Sequence, residues 1–264
     1  MSETQESKPV RHLLGLSGGK DSSALAIYIR DKYPEIHEKM EYFFADTGAE
    51  LEETLEFIDV LEDYLRKPII RLNAERDFDH YLKLHNNYLP SPKQRWCTIN
   101  LKLIPFENFV GTDDAVSYVA LRADEPDRVG YVSNKDNIKT RMPFREDGLT
   151  KEDVFEILEA SGVGVPKYYE WRSRSGCYFC FFQRKEEWVG LKKHHPKLFE
   201  MAKQYEKVDE NTGRQFTWSQ NGTLDQIVSS CDLESSKSMP KKSKKLINNL
   251  MSEGDDDGCL ICTL

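Results

Sequence analysis

Three things are scarce in this 264-residue chain, and each scarcity narrows its function. No apolar run approaches the roughly 20 residues that a membrane-spanning helix requires. Residues Met1 to Lys8 are polar and lack the apolar stretch of an export signal, so the expected address is the cytoplasm. Positive charge is not in excess either. Lys and Arg number 37 against 45 Asp and Glu, and the net charge of −8 disfavours indiscriminate polyanion binding while leaving room for local basic patches. Cysteine is limited to six residues, which in such a context read as thiols, metal ligands or redox groups rather than structural disulfides. What is present, 39% hydrophobic and 31% charged residues, describes a soluble globular protein. The length suffices for one domain of about 200 residues with a tail.

The most informative stretch is Ser17-Gly18-Gly19-Lys20-Asp21-Ser22-Ser23, which joins the apolar run Leu13-Leu14-Gly15-Leu16 to the helix-like run Ala24 to Ile29. Strand, glycine loop and helix in succession form a phosphate cradle. Adjacent glycines let the backbone turn and approach a ligand, while loop amides and the first helical turn point N–H groups at one spot. Lys20 adds a cationic contact, and Asp21 can cap the helix or hold a magnesium ion. An ordinary strand-to-helix turn explains a glycine and a capping residue but not the full succession. The spacing does not fit the Walker A pattern. It resembles the PP-loop of the ATP pyrophosphatases, a resemblance that implies cleavage of ATP between its α and β phosphates, with AMP transfer and pyrophosphate release.

Downstream, Met40 to Ala45 reads as a second buried strand ending at Asp46-Thr47-Gly48. A helix is expected from about Leu51 to Leu65 and a third strand over Lys67 to Leu72. Asp114 to Leu121 gives another strand, and Val129 to Phe144 a hairpin. A capped helix should run from Leu149-Thr150 to Ala160, and a further one between Lys185 and Lys207, interrupted at His195-Pro196. Alternating strands and helices predict an α/β fold with a mainly parallel sheet covered on both faces. Ligands of such folds collect beyond the carboxyl ends of the strands, where the glycine loop and Asp46-Thr47-Gly48 both lie. Periodicity fades from about Asp209, so the expected division is a domain over 1–206 and a partly flexible C-terminal extension over 207–264.

Three further segments extend the resemblance over roughly residues 11 to 205. Phe44-Ala45-Asp46-Thr47-Gly48-Ala49-Glu50 with Glu53-Thr54 is similar to the second motif of the phosphoadenosine phosphosulfate reductase branch of the PP-loop superfamily. Leu121 to Glu125 resembles its third motif, and Arg174-Ser175-Gly176-Cys177-Tyr178-Phe179-Cys180 its last. The resemblance implies an adenine-nucleotide α-hydrolase-like fold with Ser17, Lys20 and Asp21 as catalytic residues. ATP would be bound by Ser17 to Ser23, by Phe44, Ala45, Asp46, Thr47 and Gly48, and by Arg122. Phe44 and Ala45 would read adenine through their backbone, and Arg122 would approach the phosphates.

Cys177-Tyr178-Phe179-Cys180 has the spacing used by metals, clusters and redox pairs, and Cys97 lies in a segment that resembles the cysteine-bearing segment of cluster-carrying members. Those members have paired cysteines where this chain has Trp96 beside Cys97. An iron–sulfur cluster, zinc, or plain buried or reactive thiols are the three readings, with Cys231, a tail cysteine or an open iron site to complete a ligand set. Cys259 and Cys262 form a second pair at the end of the chain, a candidate sulfur relay disfavoured by the neighbouring Asp255, Asp256 and Asp257. Arg95, Lys102, Arg172 and Arg174 are interleaved with aromatics around the cysteine motifs, as a nucleic-acid strand would require; a solvated charged face is the alternative.

The resulting expectation is a sulfur-transfer ATP pyrophosphatase that uses magnesium-ATP to adenylate an oxygen of its acceptor. The phosphorothioate DNA-modification systems, Dnd and Ssp, contain such enzymes, which implies a cysteine desulfurase and other modification proteins as partners and DNA as substrate. Reduction of phosphoadenosine phosphosulfate, the nucleotide subunit of ATP sulfurylase and a non-catalytic nucleotide sensor are the alternatives.

Overall fold

A computed structural model describes residues 9–130, 133–208 and 215–235. Strands β1 (Arg11–Gly15), β2 (Met40–Asp46), β3 (Ile69–Asn73), β4 (Ala115–Tyr118) and β5 (Ile138–Arg141) form one sheet in the order β3-β2-β1-β4-β5, and every pairing is parallel. Because side chains alternate along a strand, each strand feeds two cores. Leu14, Tyr42 and Phe44 face one side, while Leu13 and Phe43 face the other.

The first face is covered by α1 (Lys20–Lys32), α3 (Glu52–Leu65) and α8 (Lys151–Ala160), which bury Leu25, Ile58, Leu61, Val154 and Leu158; the short α2 (Pro34–Lys39) follows α1 in the chain and α7 (Pro143–Glu146) precedes α8. The start of α8 is fixed by a capping box in which the Thr150 amide donates to Asp153 at 2.7 Å. On the second face, α5 (Trp96–Thr98) passes through a π-helical turn (Ile99–Leu103) into α6 (Ile104–Val110). Phe106 of α6 stacks on Phe43 with ring centroids 5.0 Å apart.

A third core joins α4 (Phe78–Leu84), α9 (Lys185–His194) and α10 (Pro196–Gln204) through Phe78, Trp96, Phe179, Trp188, Phe199 and Trp218. Pro196 separates α9 from α10, since proline is accommodated at the first helical position but not inside a helix.

One sequence expectation is corrected. In place of a hairpin between Val129 and Phe144, the described residues there contain β5, which pairs parallel to β4 and completes the main sheet. Its Ile138 is buried beside Phe106 and Val110, a contact between distant segments that a four-residue strand does not announce. After Asp209, where periodicity fades, β7 (Gln215–Phe216) pairs with β6 (Lys207–Val208), and α11 (Leu224–Ser235) follows. Trp218, Leu224, Ile227 and Val228 join the third core, and the Trp218 indole donates to the Ala202 carbonyl at 2.8 Å. One turn of apolar spacing is too short to reveal such a helix in sequence. Among the described residues no helix is long and apolar enough to cross a membrane.

Candidate nucleotide and thiol site

Strands β2 and β3 lie on one side of β1, and β4 and β5 on the other, so the chain reverses its direction of sheet growth at β1 and β4. The crevice beyond the carboxyl ends at such a reversal is where α/β sheets bind ligands. The glycine loop leaves β1 at this point. Gly18 has φ +70°, and a Cβ there would sit 2.6 Å from Thr54 Cγ2. A Cβ on Gly19 would sit 2.7 Å from Ser175 Oγ. Both positions require glycine for close approach, and Gly18 also for its backbone angle.

The serines hold the loop. The Ser17 amide donates to Ser22 Oγ at 3.1 Å, and the Ser23 hydroxyl donates to the Gly19 carbonyl at 2.7 Å. A distant segment also clasps it. The Tyr168 hydroxyl donates to the Gly18 carbonyl at 2.6 Å, the Lys20 amide donates to the Tyr169 hydroxyl at 3.0 Å, and the Ser175 hydroxyl donates to Ser17 Oγ at 3.1 Å.

Charge beside the loop is concentrated on Asp21. One carboxylate oxygen pairs with Lys20 Nζ at 3.0 Å and the other with Arg122 Nη1 at 2.8 Å. Burial pushes the Asp21 carboxyl up, but the charges and hydrogen bonds of Lys20 and Arg122 outweigh it and hold the group at about 2. Asp21 therefore orders two cations instead of capping α1, whose N-cap residue Gly19 has no side-chain cap bond. Arg122 is buried and also meets Asp124 at 3.0 Å and Glu125 at 3.5 Å.

Phe44 and Ala45 line a small cavity with Ser17, Glu50, Thr54, Lys102, Ser175 and Gly176. The buried Thr54 hydroxyl has no hydrogen-bond partner among the described residues. Asp46 and Gly48 shape the adjoining turn, in which the Gly48 amide donates to Asp46 Oδ1 at 2.9 Å. Thr47 lines a second cavity instead.

That second cavity, of about 40 Å³, gathers Cys97, Cys177 and Cys180 among Phe78, Phe179, Phe181, Phe182 and Trp218. Cys97 lies in α5, and Lys102, on the π-helical turn, lines both cavities, as does Gly176. Such turns are uncommon and recur at functional positions. The Cys180 amide donates to the Cys177 carbonyl at 3.1 Å. The Thr47 hydroxyl donates to Glu50 Oε1 at 2.6 Å, which leaves its oxygen to accept from the Cys177 thiol 3.2 Å away. Burial, then the Glu50 charge, pushes the Cys177 thiol up to about 12, and burial raises the Glu50 carboxyl. Cys177 is consequently a protonated thiol at neutral pH in this arrangement.

The three sulfurs have the right chemistry for a thiophilic ion or a cluster and share one apolar cavity. Among the described residues, however, no group of three or more His, Cys, Asp and Glu is arranged to hold a metal ion. The Cys231 side chain, Cys259 and Cys262 lie outside the described residues.

Two candidate nucleic-acid contacts are relocated. Arg172 is buried, and its guanidinium donates to the Gly176 and Cys177 carbonyls at 3.0 Å each, so it shapes the cysteine turn. Lys102 lies between the two cavities. Arg95 is half-buried with its guanidinium 5.0 Å from the Phe182 ring centroid, and Arg174 is half-buried. Sequence reasoning did not place Tyr168, Tyr169, Ser175, Glu50 or Thr54 at the glycine loop, and it read the two tyrosines only among the aromatics interleaved with the basic residues. Three of them stood inside recognised motifs, but the tyrosines stand about 150 residues from the loop they touch, and nothing local signals that contact.

The model of the phosphoadenosine phosphosulfate reductase domain matches residues 11–181, and this chain belongs to that family. An uncharacterized protein of Methanocaldococcus jannaschii is 30% identical over 206 residues, covering 73% of this chain and 40% of the relative. A second from the same organism is 24% identical over 194 residues, covering 69% and 44%. The chain thus spans less than half the length of these two relatives. An uncharacterized protein of Escherichia phage 186 is 24% identical over 260 residues, with 75% of each chain covered. Among solved structures, a phosphoadenylyl-sulfate reductase from Candida auris in a phosphate complex aligns with a TM-score of 0.49 and 12% identity, covering 64% of this chain and 82% of that one. A U34-tRNA thiolase of Methanococcus maripaludis with its 4Fe-4S cluster aligns with a TM-score of 0.44 and 14% identity, covering 90% and 84%.

Proposed function

We propose that this protein is an ATP pyrophosphatase that adenylates an oxygen of its acceptor so that sulfur can displace AMP, with DNA phosphorothioation as the favoured setting. The observation that carries the reading is the Gly18–Lys20 backbone at the sheet's reversal point, next to a cavity lined by Phe44, Ala45 and Thr54, whose buried hydroxyl has no partner among the described residues. A buried hydroxyl without a partner is costly unless a ligand completes it. The adenosine part of ATP would lie against Phe44 and Ala45, and its phosphates over the loop amides and Lys20. An acceptor oxygen then attacks the α-phosphorus, the bond to the bridging oxygen breaks, and pyrophosphate leaves with the electron pair. The protein's part is positioning and charge neutralisation, with no covalent protein nucleophile in this step. Magnesium would share the task on the phosphates.

Lys102 supports the link to sulfur, because it lines the nucleotide cavity and the thiol cavity together. Cys97, Cys177 and Cys180 share the thiol cavity and would have to draw together from their present arrangement to carry an iron–sulfur cluster, or zinc. A cysteine desulfurase is the proposed sulfur donor in the cytoplasm, and other modification proteins would present DNA to a chain whose net charge is −8. The test measures AMP and pyrophosphate formation from ATP with DNA and a desulfurase, in parallel with sulfite formation from phosphoadenosine phosphosulfate. AMP and pyrophosphate in equal amounts are expected. Orthophosphate as the sole product would reject the reaction, and robust sulfite formation would replace it with reduction.

A further inference from the structure

The glycine loop is not held by its own residues alone. Two adjacent glycines leave the Gly18–Gly19 peptide free to rotate, because neither has a Cβ to restrict its flanking torsions. A rotated peptide would aim a carbonyl, not an amide, at an anion. In a trans peptide the C=O of one residue and the N–H of the next point in opposite directions, so anchoring the Gly18 carbonyl fixes the direction of the Gly19 amide. Tyr168 supplies that anchor. Its side chain is buried, its hydroxyl donates to the Gly18 carbonyl at 2.6 Å, and burial keeps the phenol protonated by raising it well above its ordinary value.

Tyr169 meets the next peptide. Its hydroxyl accepts from the Lys20 amide at 3.0 Å, the first amide of a 13-residue helix. Its ring stacks on Tyr168, with centroids 5.0 Å apart and planes at 24°. Both tyrosines belong to a short 3-10 helix (Lys167–Glu170), and the chain reaches Ser175 and Cys177 within eight residues of Tyr169. Ser175 donates to Ser17, and Cys177 contacts Thr47.

We infer that Tyr168 and Tyr169 are positioning residues of the phosphate cradle. Tyr168 sets the Gly18–Gly19 peptide so that the loop presents amides to the phosphates, and Tyr169 fixes the orientation of the Lys20 amide. The same segment links the loop to the thiol cavity. The inference rests on the nucleotide reading proposed above and adds two residues that touch neither phosphate nor acceptor in that reading.

The test compares wild-type protein with Tyr168→Phe and Tyr169→Phe by calorimetric titration with magnesium-ATP, inorganic pyrophosphate and AMP, alongside thermal unfolding. Each variant should bind ATP and pyrophosphate about tenfold more weakly, the scale of one lost or misdirected hydrogen bond to a charged group, while AMP affinity stays within about twofold. A merely structural role would lower the melting temperature without splitting the triphosphate from the monophosphate. If Tyr168→Phe fails to fold, Tyr169→Phe decides, since it keeps the ring and loses only the hydroxyl that accepts from the Lys20 amide and meets the Tyr168 side chain. Wild-type protein that binds ATP and pyrophosphate, with folded variants that bind them equally well, overturns the positioning role and leaves the nucleotide reading intact. Wild-type protein that binds neither ligand overturns both.

Discussion

The cavity beside the glycine loop and the cavity beside the thiols share Lys102 and Gly176 but have opposite walls. The first is set in a network of backbone groups, serine hydroxyls and the Lys20–Asp21–Arg122 ion pairs. The second is built from Phe78, Phe179, Phe181, Phe182 and Trp218 around three cysteines. The difference matches the chemistry proposed for each. Phosphate recognition needs fixed dipoles and cations, whereas reactive sulfur needs exclusion of water and oxygen. Lys102 is the one charged side chain common to both linings, so charge on the nucleotide and charge on a sulfur would be felt by the same ammonium.

Substitutions should separate the two regions if the contrast is right. The largest expected effect is on the apolar side: Phe179→Ala removes a buried ring that stacks on Trp218 and packs against Phe78, and should cost about 3–5 kcal/mol in urea unfolding. Magnesium-ATP affinity of the folded fraction should change little; a loss of ATP affinity as large as the loss of stability would mean that the cavities are one unit.

On the polar side, Gly18→Ala places a methyl group against Thr54 and strains the φ of +70°. Pyrophosphate release should fall by about a hundredfold or more, because small misplacements of a preorganised cradle are costly in rate. Asp21→Ala and Ser17→Ala should act in the same direction. Full activity of Gly18→Ala would break the assignment of the loop.

The Asp21 carboxyl, held at about 2 in the folded protein against an ordinary 3.8, makes a pH prediction. Its stabilising contribution is complete above the ordinary value and is lost as pH falls from about 4 towards 2, an effect of about 2 kcal/mol. Urea unfolding at a series of pH values should show this loss in the wild type and not in Asp21→Asn. Parallel acid curves for the two proteins would remove Asp21 from the buried network.

A smaller effect is expected at the junction, where Lys102→Met should lower the rate of AMP formation by about tenfold, one charge's share of electrostatic stabilisation. Its thiol side can be read separately by the pH dependence of Cys177 alkylation, which should shift to higher pH in the variant because Lys102 favours the thiolate. The smallest is Thr47→Val, which leaves the Cys177 thiol without its acceptor and should cost about 1 kcal/mol of stability with no change in ATP binding.

Much of the architecture was legible because it is written locally. The apolar runs around Leu14 and Phe43, the glycine pair after β1, the capping box at Thr150 and the break at Pro196 each act over a few residues. The hairpin expected near Val129 failed for the complementary reason: a four-residue strand takes its partner from the sheet, not from its own sequence.

By itself, then, the sequence determined the parallel α/β frame, the position of the glycine loop and the identity of the cysteines near it, since glycine torsions, strand alternation and residue chemistry are local properties. Only the tertiary structure decided which groups complete them. It brought Tyr168 and Tyr169 onto a loop about 150 residues earlier in the chain, turned Arg172 inward to the cysteine carbonyls, and set Lys102 between two cavities. Those roles follow from burial and from the need of buried backbone groups for partners, and a partner is chosen by proximity in the folded chain.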